Sequence, residues 1–383
     1  MKVSIEHSVP MNNGDAALIF ALGEALGNYG LDITYTTFNL DFAQENYGRH
    51  KWSQSILSSK ITKLPFIGYL VLFFYVLLSS YYKNLDGVIA SPGGYLHGYY
   101  KGTKRKLQLL VLVKRIHKRT ICMYSQSVGE LSQSETAYLK RNLSHFDLFY
   151  VRDQISYRRL QALNVNDLDN VRLTADAAFL LESLPRKESA AGIAFSVRSW
   201  SRGNRDKSKY YNLVFKLVGE CIRLGFDVTF LSTCQGISGY TNDASVAEEI
   251  YHSMPAAWQK RVFIDKEYNT LDQLRSKLAG FKYVIGTRLH MCILAWLSNT
   301  PALNISYEEK GVECYQYLQI PMYSIDYNHD GDIAPLLQQF LADDHEHVFQ
   351  TIEDLRKKSL DHVLELIEAI SNNQAHSTKK NSQ

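Results

Sequence analysis

The chain has 383 residues, 45% of them apolar, with 42 basic and 39 acidic side chains and a formal net charge of +3. That length suits two domains of ordinary size, and the balanced, well-mixed charge excludes a disordered polyelectrolyte. So small a net charge gives no argument for nucleic acid, and none is expected as a partner. The cysteines (Cys122, Cys221, Cys234, Cys292, Cys314) form no CxxC or Cys/His ligand spacing. They read as reduced, mostly buried thiols, with no metal site expected.

In chain order, "KVSIEHS" reads as a strand, with no basic and apolar leader pattern, which sets the expectation of a cytoplasmic protein. "GDAALIFALGEALGNYG" reads as a helix closed by a Gly stop and "DITYTTF" as the next strand. "LPFIGYLVLFFYVLLSSYY", residues 64–82, carries no charge between Lys63 and Lys83 and is close to the minimum for a membrane span. A span would put two halves of one sheet on opposite sides of the membrane, so a buried helix or one lying in the bilayer surface is expected. "KGTKRKLQLLVLVKRIHKR", residues 101–119, carries eight Lys/Arg and no acid. It suits anionic headgroups at an inner membrane face, or equally a solvated charged helix face. "LDGVIASPGG", "RTICMYSQSVGE" and "FDLFYVRD" are apolar runs ending in polar or Gly-bearing turns.

The polar stretch around Pro185–Gly192 reads as a hinge between domains 1–185 and 190–340. Beyond it, "AGIAFSVRSW", "VTFLST", "RVFID", "YVIG" and "ALNISY" alternate with helix patterns. An amphipathic helix is expected over 345–372 and a disordered tail over 373–383. Continuous apolar runs between helices indicate parallel sheets covered on both faces. The fold class is α/β, with two Rossmann-like, doubly wound domains facing a cleft. Ligands of such sheets bind outside the carboxyl ends of the strands.

The junction residues therefore carry the chemistry. In "YVIGTRLHMCILAWLSNTPALNISYEEKG", Arg288, Leu289 and His290 fall where a strand turns into a buried helix, and Lys310 just past the following strand. A helix N-terminus with an arginine seats a phosphate or carboxylate. A histidine, with an ordinary pKa of about 6.5, is suited to proton transfer there. If these strands are neighbours, the three cationic or titratable groups meet at one rim. Arg198 follows the first strand of the second domain. Gly14 and Asp15 mark the first strand-to-helix turn, and Gly93 and Gly94 allow close backbone approach to a ligand. No GxGxxG or GxxxxGK[ST] pattern occurs, nor a convincing nucleophile triad.

Taken together, "NNGDAAL", "SPGGYLHG", "SQSVGE", "YVRDQIS", "TADAAFLL", "FSVR" and above all the Arg-x-His helix followed by Tyr-x-x-Lys-Gly resemble the polysaccharide pyruvyl transferase family. The resemblance spans about residues 3 to 326. It departs at "SVGE", where the family commonly has Gly-Pro after the glutamine. It implies a GT-B-like domain pair, with an acceptor side in 1–185 and a donor side in 190–340. It also implies transfer of a carboxyvinyl unit from phosphoenolpyruvate to a sugar or lipid-linked oligosaccharide, giving a pyruvate ketal, with no cofactor beyond that co-substrate. On this basis His290 and Lys310 are the catalytic positions, and Arg198, Arg288 and Leu289 bind the donor. Asp15, Gly14, Gly93, Gly94, Gln126 and Arg152 would line the acceptor side. Two other readings compete. One is a GT-B glycosyltransferase using a nucleotide-sugar, with Glu308, Glu309 or Glu313 on the ribose. The other is a non-catalytic, membrane-associated scaffold of polysaccharide assembly.

Overall fold

The structure is a computed structural model that describes residues 1–100, 102–165, 168–200 and 203–381, with side chains as far as 373. Two compact units emerge from the contacts. The first comprises Met1–Met11, Asp15–Leu180 and the chain from Leu355; the second comprises Asn12–Gly14 and Leu181–Asp354.

The first unit is built on eight parallel strands: β1 Lys2–Ser8, β2 Asp32–Thr37, β3 Lys51–Gln54, β4 Gly87–Ala90, β5 Gly93–Leu96, β6 Thr120–Val128, β7 Leu148–Val151 and β8 Val171–Leu173. Their order is β3-β2-β1-β4-β6-β7-β8, with β5 beside β6. The second unit has β9 Ile193–Ser196, β10 Val228–Phe230, β11 Val262–Ile264, β12 Tyr283–Gly286, β13 Ala302–Ser306 and β14 Ser324–Asp326, in the order β11-β10-β9-β12-β13-β14. That is the Rossmann order, with its switch point between β9 and β12. Strands β4, β7 and β9 are buried at every position, which is why they read as continuous apolar runs rather than alternating ones. Strands β3, β5, β8 and β14 are additions to the sequence reading, each only three or four residues long. All five cysteines are buried.

Several boundaries differ from the sequence reading. The units divide at Leu180–Leu181, not near 185–190. The polar segment is pinned to the second unit by backbone hydrogen bonds from Leu184 to Leu297 (2.7 Å), Lys187 to Ala279 (2.8 Å) and Ala191 to Gly280 (3.0 Å). The C-terminal helix runs Glu346–Asn381, so 373–381 continue it where a disordered tail was expected; 382–383 lie outside the described residues. Its later turns belong to the first unit. Tyr124 donates to the Ser359 carbonyl at 3.2 Å, Thr174 bonds His362 Nδ1 at 2.8 Å, and Gly87 leaves room for Ile370.

The apolar stretch forms the helix Pro65–Leu78, stopped at Ser79, and among the described residues no helix is long and apolar enough to cross a membrane. Of the basic stretch, Lys101 lies outside the described residues, and the rest forms the helix Thr103–His117, whose centre Leu107–Val113 is buried. Several of its cations are structural. Lys114 pairs with Asp147 at 2.6 Å, and Arg115 bonds Asn142 and His145 at 3.1 and 3.0 Å.

At the centre of the first sheet Glu6 is fully buried and accepts hydrogen bonds from Ser4 (2.8 Å), Thr36 (2.7 Å) and Tyr82 (3.2 Å). Burial raises its carboxyl above the ordinary 4.5, and the three hydroxyls only partly offset this. A carboxyl whose folded pKa exceeds its unfolded value adds stability below the unfolded value and loses it as pH rises through the folded one. The difference in urea midpoint between wild type and Glu6→Gln is therefore expected to move in favour of the Gln chain as pH rises from about 4.5. A difference that stays constant with pH contradicts this.

Candidate active site

In the second unit the parallel register aligns three strand ends. Ser196 of β9 lies opposite Gly286 of β12, and Gly286 opposite Asn304 of β13. Arg198 follows β9, Arg288 and His290 follow β12, and Lys310 follows β13, so all four belong to the carboxyl rim at and beside the switch point.

Arg288 is the N-cap of the helix Leu289–Trp296, in extended backbone. The helix is apolar all round and buried from Met291 to Trp296, which fixes its first turn against the strand ends. The Arg288 guanidinium is itself buried and donates from Nε to Asp243 Oδ2 at 2.6 Å. Burial works against its charge, but Asp243 first and then Tyr307 outweigh that and raise its pKa. Asp243 is further held by the Ser232 hydroxyl at 2.8 Å. Arg288 Nη2 is buried and has no hydrogen-bond partner among the described residues. Such an orphaned donor on a charged group is costly unless an anion completes it.

Around Arg288 the rim is braced by tyrosines. The Tyr210 hydroxyl bonds Thr287 Oγ1 at 2.7 Å and accepts from the Arg198 backbone N–H at 3.0 Å, which ties the two strand ends together. Arg198 Nη1 donates to the Tyr307 hydroxyl at 2.8 Å, and its guanidinium lies 4.6 Å over the Trp200 ring. The Leu289 side chain is buried, so what it can offer a ligand is its backbone N–H at the helix start. Lys310 pairs with Glu308 at 2.6 Å and would have to exchange that partner to meet an anion. His290 is half-buried in the first helical turn, against Gly14 of the same unit. A Cβ on Gly14 would come within 2.7 Å of His290 Nδ1, so only glycine admits the ring there.

The other predicted positions belong to the first unit. Gly93 adopts a φ of +141°, a backbone region closed to other residues, and its α-carbon faces Asp15 and Leu18. Gly94 faces Arg152 Nη2, at 3.5 Å from an ideal Cβ. Arg152 is buried, pairs with Asp176 at 2.5 Å and donates to Ser127 Oγ at 2.7 Å, while Ser127 donates to Asp153. Gln126 is buried in β6 and donates to the Ser91 carbonyl. These residues form a polar rim at the carboxyl ends of β4 to β8, with Arg152 and Gln126 serving first to brace it.

Sequence reasoning missed Asp243, Tyr210 and Asp176. Asp176 lies in the quoted "TADAAFLL" but carried no role there. Asp243 sits in a loop 45 residues from Arg288, and no spacing rule connects them.

Two Rossmann-type domains with a cationic strand-end rim define a GT-B-like protein. The chain belongs to the polysaccharide pyruvyl transferase family, whose pattern it matches over residues 12–309. It is similar to the amylovoran biosynthesis protein AmsJ of Erwinia amylovora, at 27% identity over 70% of this chain and 68% of that protein. Among solved structures it resembles a glycosyltransferase from Rickettsia africae, with a TM-score of 0.65 and 10% identity over 97% of this chain and 99% of that one. It also resembles the UDP-GlcNAc 2-epimerase of Methanocaldococcus jannaschii, with a TM-score of 0.59 and 11% identity over 93% and 98% of the two chains. At such identities these two likenesses concern the fold alone.

The buried Arg288–Asp243 pair gives a direct expectation. Asp243→Ala leaves the guanidinium charged and uncompensated, and is expected to cost about 3–5 kcal/mol in urea unfolding. A loss below about 1 kcal/mol, the range of an exposed pair, contradicts this account.

Proposed function

We propose that the chain transfers a carboxyvinyl unit from phosphoenolpyruvate to a sugar of an envelope or extracellular polysaccharide, forming a pyruvate ketal and releasing phosphate. The observation that carries this reading is the buried, partly unsatisfied guanidinium of Arg288, one helical turn-start from His290 and beside Arg198 on the same strand-end rim. Phosphoenolpyruvate brings a carboxylate and a phosphate together, and a rim with two arginines, a lysine and a helix N-terminus matches that charge. In this reading side chains meet the donor's charge, without a metal.

The steps then balance. His290 gives its proton to the CH2 carbon, which becomes a methyl group, while one sugar hydroxyl bonds to C2 and releases its proton. The C2–O bond to phosphate breaks, with Arg288 and Arg198 stabilising the departing anion. A second hydroxyl closes on C2, completing the ketal; of the two protons the hydroxyls release, one returns to His290 and the other leaves on the phosphate. Lys310, released from Glu308, compensates charge on the donor. Work at the inner face of the plasma membrane belongs to the same reading, supported by the apolar side chains that the Pro65–Leu78 helix exposes.

The test is phosphate release from phosphoenolpyruvate with a glycolipid extract as acceptor. Wild type is expected to release phosphate only with acceptor present, and His290→Ala to lose about 10²–10⁴-fold, the usual contribution of a general acid. Consumption of a nucleotide-sugar with no use of phosphoenolpyruvate would replace this reading with a glycosyltransferase. Near-normal turnover by His290→Ala would remove the acid role alone.

A further inference from the structure

Tyr307 opens the Tyr-x-x-Lys-Gly pattern and stands directly past β13, ahead of the helix Glu309–Tyr317. It is 7% exposed, so its phenol belongs to the rim rather than to water. Its ring and its backbone are both held. Trp200 packs on the ring at 4.8 Å between centroids, and Tyr327 meets it edge-on at 6.4 Å. Arg205 donates to the Tyr307 carbonyl at 3.0 Å and is paired with Asp326, at the end of β14, at 2.8 Å.

The Tyr307 oxygen accepts from Arg198 Nη1 at 2.8 Å, but its own hydrogen meets no acceptor among the described residues. A buried tyrosine ordinarily finds a partner for its O–H. Tyr307 also lies within electrostatic reach of Arg288. Burial disfavours the charge of that guanidinium, and Asp243 and then Tyr307 favour it. Arg288 Nη2 lacks a partner as well, and so does the Oγ of Ser196, 1% exposed at the end of β9. Among the described residues, three unmatched donors thus end on the neighbouring strands β9, β12 and β13. Such a set calls for an anion.

The three are not equivalent. A guanidinium is not deprotonated in a protein, so Arg198 and Arg288 can hold an anion but give it no proton. In the steps above, the His290 proton goes to carbon and Lys310 keeps its charge to balance the donor. Cleavage of the C2–O bond puts new negative charge on the bridging oxygen. The aliphatic hydroxyl of Ser196 is too weak an acid to relieve it, which leaves Tyr307.

We propose that Tyr307 is a further catalytic residue, which donates its hydroxyl hydrogen to the donor's phosphate and transfers that proton as the C2–O bond breaks. The electron pair of the bond stays on the bridging oxygen, which takes the proton and leaves as part of hydrogen phosphate. The phenolate left behind lies against Arg198 and Arg288, whose charges offset it. It recovers a proton from an acceptor hydroxyl, so the proton that leaves on the phosphate passes through Tyr307 and the residue is restored in each cycle. The inference rests on the transferase reading above and adds the acid for its leaving group.

The test compares wild type with Tyr307→Phe, which keeps the ring and its packing and removes the hydroxyl. Binding of phosphoenolpyruvate is measured by calorimetry without acceptor, and phosphate release with the glycolipid extract. Tyr307→Phe is expected to lose about 10²–10⁴-fold in kcat, the usual contribution of a general acid. Its Kd for phosphoenolpyruvate is expected to rise by less than about tenfold, the worth of one hydrogen bond, which also shows that the fold is kept. A second donor carries sulfate in place of phosphate, a far weaker base that departs without a proton. On it the two chains are expected to react within about threefold of each other. Near-normal kcat in Tyr307→Phe, a raised KM alone, or an equal loss on both donors overturns the proposal, since a merely positional role does not distinguish the leaving groups. Wild type that releases no phosphate with acceptor present overturns the transferase reading and this inference with it. Wild-type turnover matched by Tyr307→Phe overturns this inference alone.

Discussion

The second unit's rim depends on the parallel register of three strands. With Ser196, Gly286 and Asn304 level across β9, β12 and β13, every residue just past a strand end is brought to one line. A slip of one residue would turn Arg198 or Arg288 to the opposite face. The Tyr210 hydroxyl, bonded to both Thr287 and the backbone of Arg198, reinforces that register at the point where the chemistry is read. Asp243 then sets the charge balance: it holds one edge of the Arg288 guanidinium and leaves another edge unsatisfied.

The first unit shows the same principle with a different outcome. Its strand-end rim is also polar, but its arginine is paired internally. Arg152 and Asp176, both almost fully buried, neutralise each other, and Ser127 links that pair to Asp153 at the start of the next helix. The first unit's arginine is thus fully engaged by its own neighbours, while in the second unit Arg288 Nη2 is left without a partner among the described residues.

How much of this was legible follows from the kind of signal. Strand, helix and strand around Arg288 could be read because apolar runs were bounded by Gly286 and Pro301, and local pattern alone put Arg288 and His290 at the turn. The conditional neighbourhood of those strands became a fact only through the sheet order, which sequence pattern does not encode. Asp243, Tyr210 and Tyr307 act through long-range contacts without periodicity. The segment at 182–191 looked like a hinge because it is polar and bears Pro185, yet its backbone bonds to Leu297, Ala279 and Gly280 make it part of the second unit. "SPGG" looked like a turn, and its second half is the start of β5. The C-terminal helix was legible as amphipathic, but not which unit its apolar face serves.

That helix bears on how the polypeptide is made. Residues 1–180 leave the ribosome first, but the surfaces around Tyr124, Gly87 and Thr174 are covered only by residues after 354. The first unit is therefore incomplete until residues beyond 354 have been made. During elongation it must wait, with one face open, for the whole second sheet to be synthesised. A fragment cut at residue 180 would lack the helical turns that bring Ser359, His362 and Ile370 onto this sheet.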